Sequence, residues 1–235
     1  MPPTQGTDNS DSLIVFGYGS LIWKPVFQYN QRIVGFVEGF ERRFYQGNTY
    51  HRGTPEKPGR VATIVPSSDS NSRVWGIGYE LIGTDQIKAA MEHLNEREVI
   101  LGGYELVTLP FYPSHSTRFE KQINALVCIH RGDRQKIPDC AESECLYLGE
   151  ASLEVQAQQI AQAKGICGPN YEYVFQLALF MRNEVMHDTD EYLFRLEDLI
   201  RVYINENCVE ISLCHSTKKE RFDSNEFCLN SKVTS

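Results

Sequence analysis

Hydrophobic residues follow a strand period through much of the first half of the chain and a helical period in the second. Residues 13–16, 32–37, 61–65, 105–111 and 123–129 read as strands. Over 73–81 the period is two: Trp75, Ile77, Tyr79 and Leu81 share one face, and Gly76 and Gly78 the other. Glycines along one face admit a close backbone or ligand, or a tight barrel bend. Helical spacing starts at Thr84, expected as an N-cap, and returns over 152–164 ahead of Gly165, over about 170–183 and over about 190–205. Leu193, Leu196, Ile200 and Tyr203 form the stripe of the last helix. The stretch HRGTPEKPGR at 51–60 is a loop, because Pro55 and Pro58 cannot serve a ladder on both sides; so charged and stiff a loop often borders a site. Strands gathered ahead of helices, without βαβ alternation, predict an α+β fold.

Composition narrows the partners. The 235 residues suit one domain, with 12–206 folded between a flexible tail at 1–11 and a mobile one at 207–235. Lys and Arg number 23 and Asp and Glu 31, a net charge of −8 that argues against a phosphate-neutralising surface, so no nucleic acid is expected. No run approaches the ~18 apolar residues of a membrane span, and 1–10 resemble no signal peptide. The seven cysteines are odd in number, irregularly spaced and free of CxxC, so they read as thiols in a reducing cytoplasm.

Two segments carry candidate chemistry. Val15, Phe16, Gly17, Tyr18, Gly19 and Ser20 run from a strand into a turn whose two glycines can take positive φ and aim backbone N–H groups at an anion. No GK[ST] follows, and Ile22 stands where a dinucleotide fingerprint needs its third glycine. A plain tight turn explains the same residues equally well. The second candidate is Glu98: at about 100° per residue it falls within about 20° of Ile87, on the face of Met91 and Leu94, whereas Glu92 and Glu96 point away. Burial there would raise its pKa and suit it to proton transfer. Alternatively the helix ends near Asn95 and Glu98 pairs with Arg97. Arg52 could orient a carboxylate, though an exposed charged loop accounts for it too, and Tyr173, spaced with Leu177, reads more as core than as site. Cys128 with His130, and Cys208 with Cys214 and His215, lack zinc spacing, so no metal is expected.

These segments together resemble the ChaC family of glutathione-specific gamma-glutamylcyclotransferases. The resemblance rests on VFGYGSLIWKPVF at 15–27, ERRFYQG at 41–47, HRGTPEKPGRVATIV at 51–65, VWGIGYEL at 74–81, LNEREVILGGYE at 94–105 and CGPNYEYVFQLA at 167–178. It implies a compact mixed β-barrel with flanking helices. It also implies a cofactor-free carbon–nitrogen lyase that cyclises the gamma-glutamyl group of glutathione to 5-oxoproline. On this resemblance residues 15–20 hold the gamma-glutamyl group and Glu98 is the catalytic base. Tyr50 and Cys167 depart from the family's usual Asp and Ser, which bears on substrate preference. A cyclotransferase for other gamma-glutamyl compounds, or an inactive binding module on the same fold, are the alternatives.

Overall fold

The computed structural model describes residues 12–100, 104–115, 122–130 and 147–205. Both expected tails, the Gly102-Gly103 pair and Cys208, Cys214 and His215 lie outside them. Five strands close a barrel in the order β1 (Ser12–Gly17), β5 (Arg73–Ile82), β2 (Gln31–Glu38), β6 (Tyr104–Pro113) and β7 (Ile123–His130). Pairing is antiparallel except between β1 and β7, where Ile14, Val15 and Phe16 run parallel to Ala125, Leu126 and Val127.

The glycine face of β5 lines the barrel interior. A Cβ on Gly78 would lie 2.8 Å from the Phe111 ring, and one on Gly76 would lie 2.3 Å from the Gly17 carbonyl oxygen. Phe16 and Phe111, with ring centroids 5.3 Å apart, fill the space these glycines leave. The opposite face is also covered, so β5 is buried along almost its whole length. Trp75 donates to Asp188 and Tyr79 to the Leu21 carbonyl.

A second sheet pairs β3 (Phe40–Asn48), unannounced by the hydrophobic pattern, with β4 (Gly59–Pro66), which contains the strand expected over 61–65. The loop between them is therefore 49–58, two residues earlier than expected, because β3 ends at Asn48 and Gly59 and Arg60 join β4. Helix α1 (Thr84–Leu94) follows β5, and its N-cap is Gly83, at φ 92°, rather than Thr84. Helix α2 (Leu153–Gln162) is capped by Ser152, whose hydroxyl accepts from the Val155 N–H. It stops before Lys164, because Ala163 is extended and β8 (Lys164–Gly165) pairs with β9 (Gly168–Pro169). Helix α3 (Asn170–Glu184) and a helix over 191–205, α4, complete the described chain. Buried Leu193, Leu196 and Ile200 bear out the α4 stripe. No described helix is long and apolar enough to cross a membrane.

Candidate active site

β1 ends at Gly17, and Tyr18 and Gly19 lead into a 3-10 turn, Ser20–Ile22, closed by the Ile22 N–H to the Gly19 carbonyl at 3.0 Å. Neither Gly17 nor Gly19 has positive φ; Gly19 sits at φ −122°. The expected left-handed turn is absent, and what demands glycine is space. A Cβ on Gly19 would lie 2.5 Å from Tyr173 Oη, and one on Gly17 2.5 Å from Leu21 Cβ. Arg42 of β3, 3% exposed, pins the turn from beneath. Its guanidinium donates to the carbonyls of Tyr18 and Trp75, each at 2.6 Å, and its Nε lies 3.2 Å from the Asp190 carboxylate.

Beyond Leu94 the chain continues as a π-helical turn, Asn95–Ile100. Such turns are rare and gather at functional sites. This turn carries Glu98, whose side chain is 16% exposed, to the cavity wall. The α-helical period thus breaks at Asn95, yet Glu98 still faces inward. It also pairs with Arg97, Nε to Oε1 at 3.2 Å, so the two alternatives weighed for Glu98 hold together. Arg97 reaches further, donating to the Ser20 hydroxyl and tying the π-turn to the glycine turn.

Both turns border a cavity of about 740 Å³. Phe16, Gly17, Tyr18, Gly19, Ser20, Glu98, Arg52 and Tyr173 all line it. Val15 does not reach it; it is buried in β1 between Tyr79 and Leu126. Arg52 is buried rather than exposed, and its Nη1 is already committed, donating to the Pro169 carbonyl at 2.8 Å and to Glu172 at 2.9 Å. Tyr173 is both core and wall: its Oη accepts from the Ala62 N–H at 3.3 Å while Tyr104 donates to the Ala62 carbonyl at 3.0 Å. Tyr18 donates to the Cys128 carbonyl at 2.6 Å. Gln46, Arg97, Lys24 and Tyr104 also line the cavity, where sequence reasoning assigned them no role, and so do Tyr50 and Cys167, the two departures from the family's usual residues. All but Tyr50 stand inside a motif quoted above: Lys24 in 15–27, Gln46 in 41–47, Arg97 and Tyr104 in 94–105, and Cys167 at the head of 167–178.

The electrostatics follow from burial. Burial pushes the Glu98 carboxyl above its ordinary range, and Arg97, acting the other way, offsets only part of this. Burial also raises the three phenols, with the Glu98 charge adding to it, and Tyr173 reaches about 12. They stay neutral at physiological pH, available as hydrogen-bonding groups and not as bases. Burial lifts the Cys128 thiol as well, which removes it as a nucleophile. His51 is lowered by burial and then by Arg97, Lys24 and Arg52, so it stands neutral among cations. Among the described residues no three His, Cys, Asp or Glu side chains converge as a metal site requires.

A closed mixed barrel with a glycine turn at one strand end, and a largely buried carboxylate beside it in one cavity, has the form of a small-molecule enzyme site. The chain belongs to the ChaC-like protein family, whose model matches residues 13–203. It is 39% identical over 197 residues to glutathione-specific gamma-glutamylcyclotransferase 1 of Danio rerio, covering 84% of this chain and 93% of that protein. To the human protein of the same name it is 38% identical, covering 80% of this chain and 78% of that one. The crystal structure of a yeast gamma-glutamyl cyclotransferase specific to glutathione superposes with a TM-score of 0.69 at 29% identity, covering 83% of this chain and 97% of that one. The barrel and helices expected from the sequence are those of this fold.

Proposed function

We propose that this chain cleaves glutathione into 5-oxoproline and cysteinylglycine, with Glu98 as the proton acceptor and residues 16–20 as the seat of the gamma-glutamyl group. The observation that carries the reading is the meeting of Glu98 and the glycine turn in one cavity, in a chain whose relatives are named for this reaction. At about 740 Å³ the cavity falls within the ~300–1,000 Å³ usual for small-molecule sites, room enough for a tripeptide.

The α-amine nitrogen of glutathione attacks its own γ-carbonyl carbon, a five-membered ring closes, and the bond to the cysteinyl nitrogen breaks. The obstacle is that an α-amine, with a pKa of about 7.7–8, is mostly ammonium at neutral pH. Glu98 takes one proton from the ammonium and returns it to the departing nitrogen, and the second proton, shed by the ring nitrogen as the lactam forms, ends on the released amine. A carboxyl raised by burial is matched to both steps, which are together worth roughly 10²–10⁴-fold. Holding the amine against the carbonyl contributes more, since oriented intramolecular attack reaches effective molarities of about 10⁵–10⁸ M. The cations at Lys24 and Arg97 suit a substrate that carries two carboxylates. We place the reaction in the cytoplasm, a reading supported by the free thiols of Cys128 and Cys167.

Purified protein incubated with glutathione should release 5-oxoproline and cysteinylglycine in equal amounts, and Glu98→Gln should slow this by about 10²–10⁴-fold without unfolding. An inactive wild type overturns the substrate assignment, and near-normal turnover by the variant removes Glu98 as base. Faster turnover of gamma-glutamyl-alanine than of glutathione would favour the broader cyclotransferase.

A further inference from the structure

β3 does not keep register with β4. Arg43 pairs with Thr63 and Gln46 with Val61, so β3 carries one residue more than its partner in that interval. Such a bulge re-aims side chains and is common beside active sites. The burial alternation changes at the same place: Arg42, Phe44 and Gln46 are buried in turn, and Gly47 is buried directly after.

Gln46 is 2% exposed and lines the same cavity as Glu98 and Gly19. Its Nε2 donates to the Gly47 carbonyl at a long 3.4 Å, and its Oε1 meets no donor among the described residues. The other long polar side chains of this hairpin behave differently. Arg42 and Arg60 are equally buried and spend their donors on carbonyls of the turn and of neighbouring strands. A buried acceptor left without a donor costs stability, and this one borders the space where the substrate would lie.

The donor it fits can be identified by chemistry. Glu98 is the only carboxylate among the described residues that line the cavity. A substrate ammonium brings three N–H bonds, more than the one proton that Glu98 removes. The amine that remains still carries two N–H bonds, and its lone pair must face the γ-carbonyl. We propose that Gln46 is a substrate-positioning residue whose amide Oε1 accepts a hydrogen bond from the α-amino group of the gamma-glutamyl substrate. Held by the bulge, it fixes one N–H and so turns the lone pair toward the carbon it attacks. This rests on the cyclotransferase reading above.

Gln46→Met keeps the side chain's length and removes the acceptor. The experiment compares wild type and variant in glutathione turnover, in inhibition by desamino-glutathione, which keeps both amides and both carboxylates but has no α-amine, and in thermal midpoint. The variant should lose about ten- to one-hundredfold in kcat/KM, the range for a hydrogen bond to a charged group. Its inhibition constant for the desamino compound should stay at the wild-type value, and its thermal midpoint should stay at or above that of wild type, since a buried acceptor without a donor has been removed. A kcat/KM within twofold of wild type overturns the proposal. So does an inhibition constant that rises in step with KM, which would mean Gln46 reads another part of the substrate, or a fall in thermal midpoint that accounts for the lost activity. A wild type that makes no 5-oxoproline overturns the cyclotransferase reading and this proposal with it, whereas an active wild type with an unaffected variant overturns this proposal alone.

Discussion

At Gly19 the glycine turn runs against a single oxygen atom, and that makes its tightness measurable. A Cβ there would lie 2.5 Å from Tyr173 Oη but 3.7 Å from Tyr173 Cζ and 3.8 Å from Ala62 Cβ, both ordinary contacts. To restore 3.4 Å, the near edge of ordinary contact, the turn or the ring must move by about 0.9 Å. The ring is not free to yield, because the same Oη accepts from the Ala62 N–H. Gly19→Ala should therefore cost about 1–3 kcal/mol of overpacking and weaken a hydrogen bond worth about 1 kcal/mol. It should also raise KM for glutathione. Tyr173→Phe alone leaves the Ala62 N–H unpaired, again at about 1–3 kcal/mol. The double variant has no oxygen left to strike, so it should cost little more than Tyr173→Phe alone, a favourable coupling of about 1–3 kcal/mol between the two sites. Denaturant unfolding of the four proteins closes the cycle. Costs that add to within about 0.5 kcal/mol would show that the oxygen is not what excludes a side chain at Gly19.

Two further predictions follow from the burial of titratable groups. The folded pKa of Glu98 lies above its unfolded value, so its contribution to stability is fully present below about 4.3 and is lost as pH rises through the folded value. The unfolding free energy of wild type minus that of Glu98→Gln should accordingly fall as pH rises across that window; a difference that is flat or rising contradicts the burial argument. Of the two described thiols, Cys167 is exposed at the cavity wall and Cys128 is buried with a raised pKa. Iodoacetamide on the native protein should label Cys167 and spare Cys128 by mass spectrometry, and a bulky maleimide should inhibit wild type more than Cys167→Ser. Equal labelling at both cysteines, or equal inhibition, would place Cys167 away from the substrate's path.

Elements whose buried face is apolar were legible from their spacing. The β5 face of Trp75, Ile77, Tyr79 and Leu81 is one case, and the α4 stripe is another. β3 was not legible, because three of its inward positions are Arg42, Phe44 and Gln46, and a strand that buries an arginine and a glutamine has no hydrophobic alternation to read. Those same polar side chains build the site: Arg42 holds the turn and Gln46 faces the cavity. The fate of Arg52 was hidden for a different reason. Its carboxylate partner, Glu172, lies 120 residues away in sequence, and only the closed fold brings the loop of 49–58 against β9 and α3. Glu98 was placed on the correct side by a period that stops short of it, since the π-turn widens the helix without turning the acid to solvent.

Two opposed effects act on the Glu98 carboxyl, the proposed base. Burial alone would raise the Glu98 carboxyl further and favour its protonated form, which cannot accept from an ammonium. A guanidinium in contact with a solvated carboxylate would hold it ionised and too weak a base to take that proton. Arg97 Nε at 3.2 Å offsets part of the burial effect, and the remaining shift is upward. The same arginine binds the Ser20 hydroxyl, so the residue that moderates the Glu98 carboxyl also ties it to the glycine turn. The net charge of −8 conceals this arrangement. Around the cavity the cations Lys24, Arg52 and Arg97 outnumber the single described carboxylate, and His51 is kept neutral among them. On the cyclotransferase reading proposed above, a substrate with two carboxylates and one amine would meet its charges there, the carboxylates facing the cations and the amine facing Glu98.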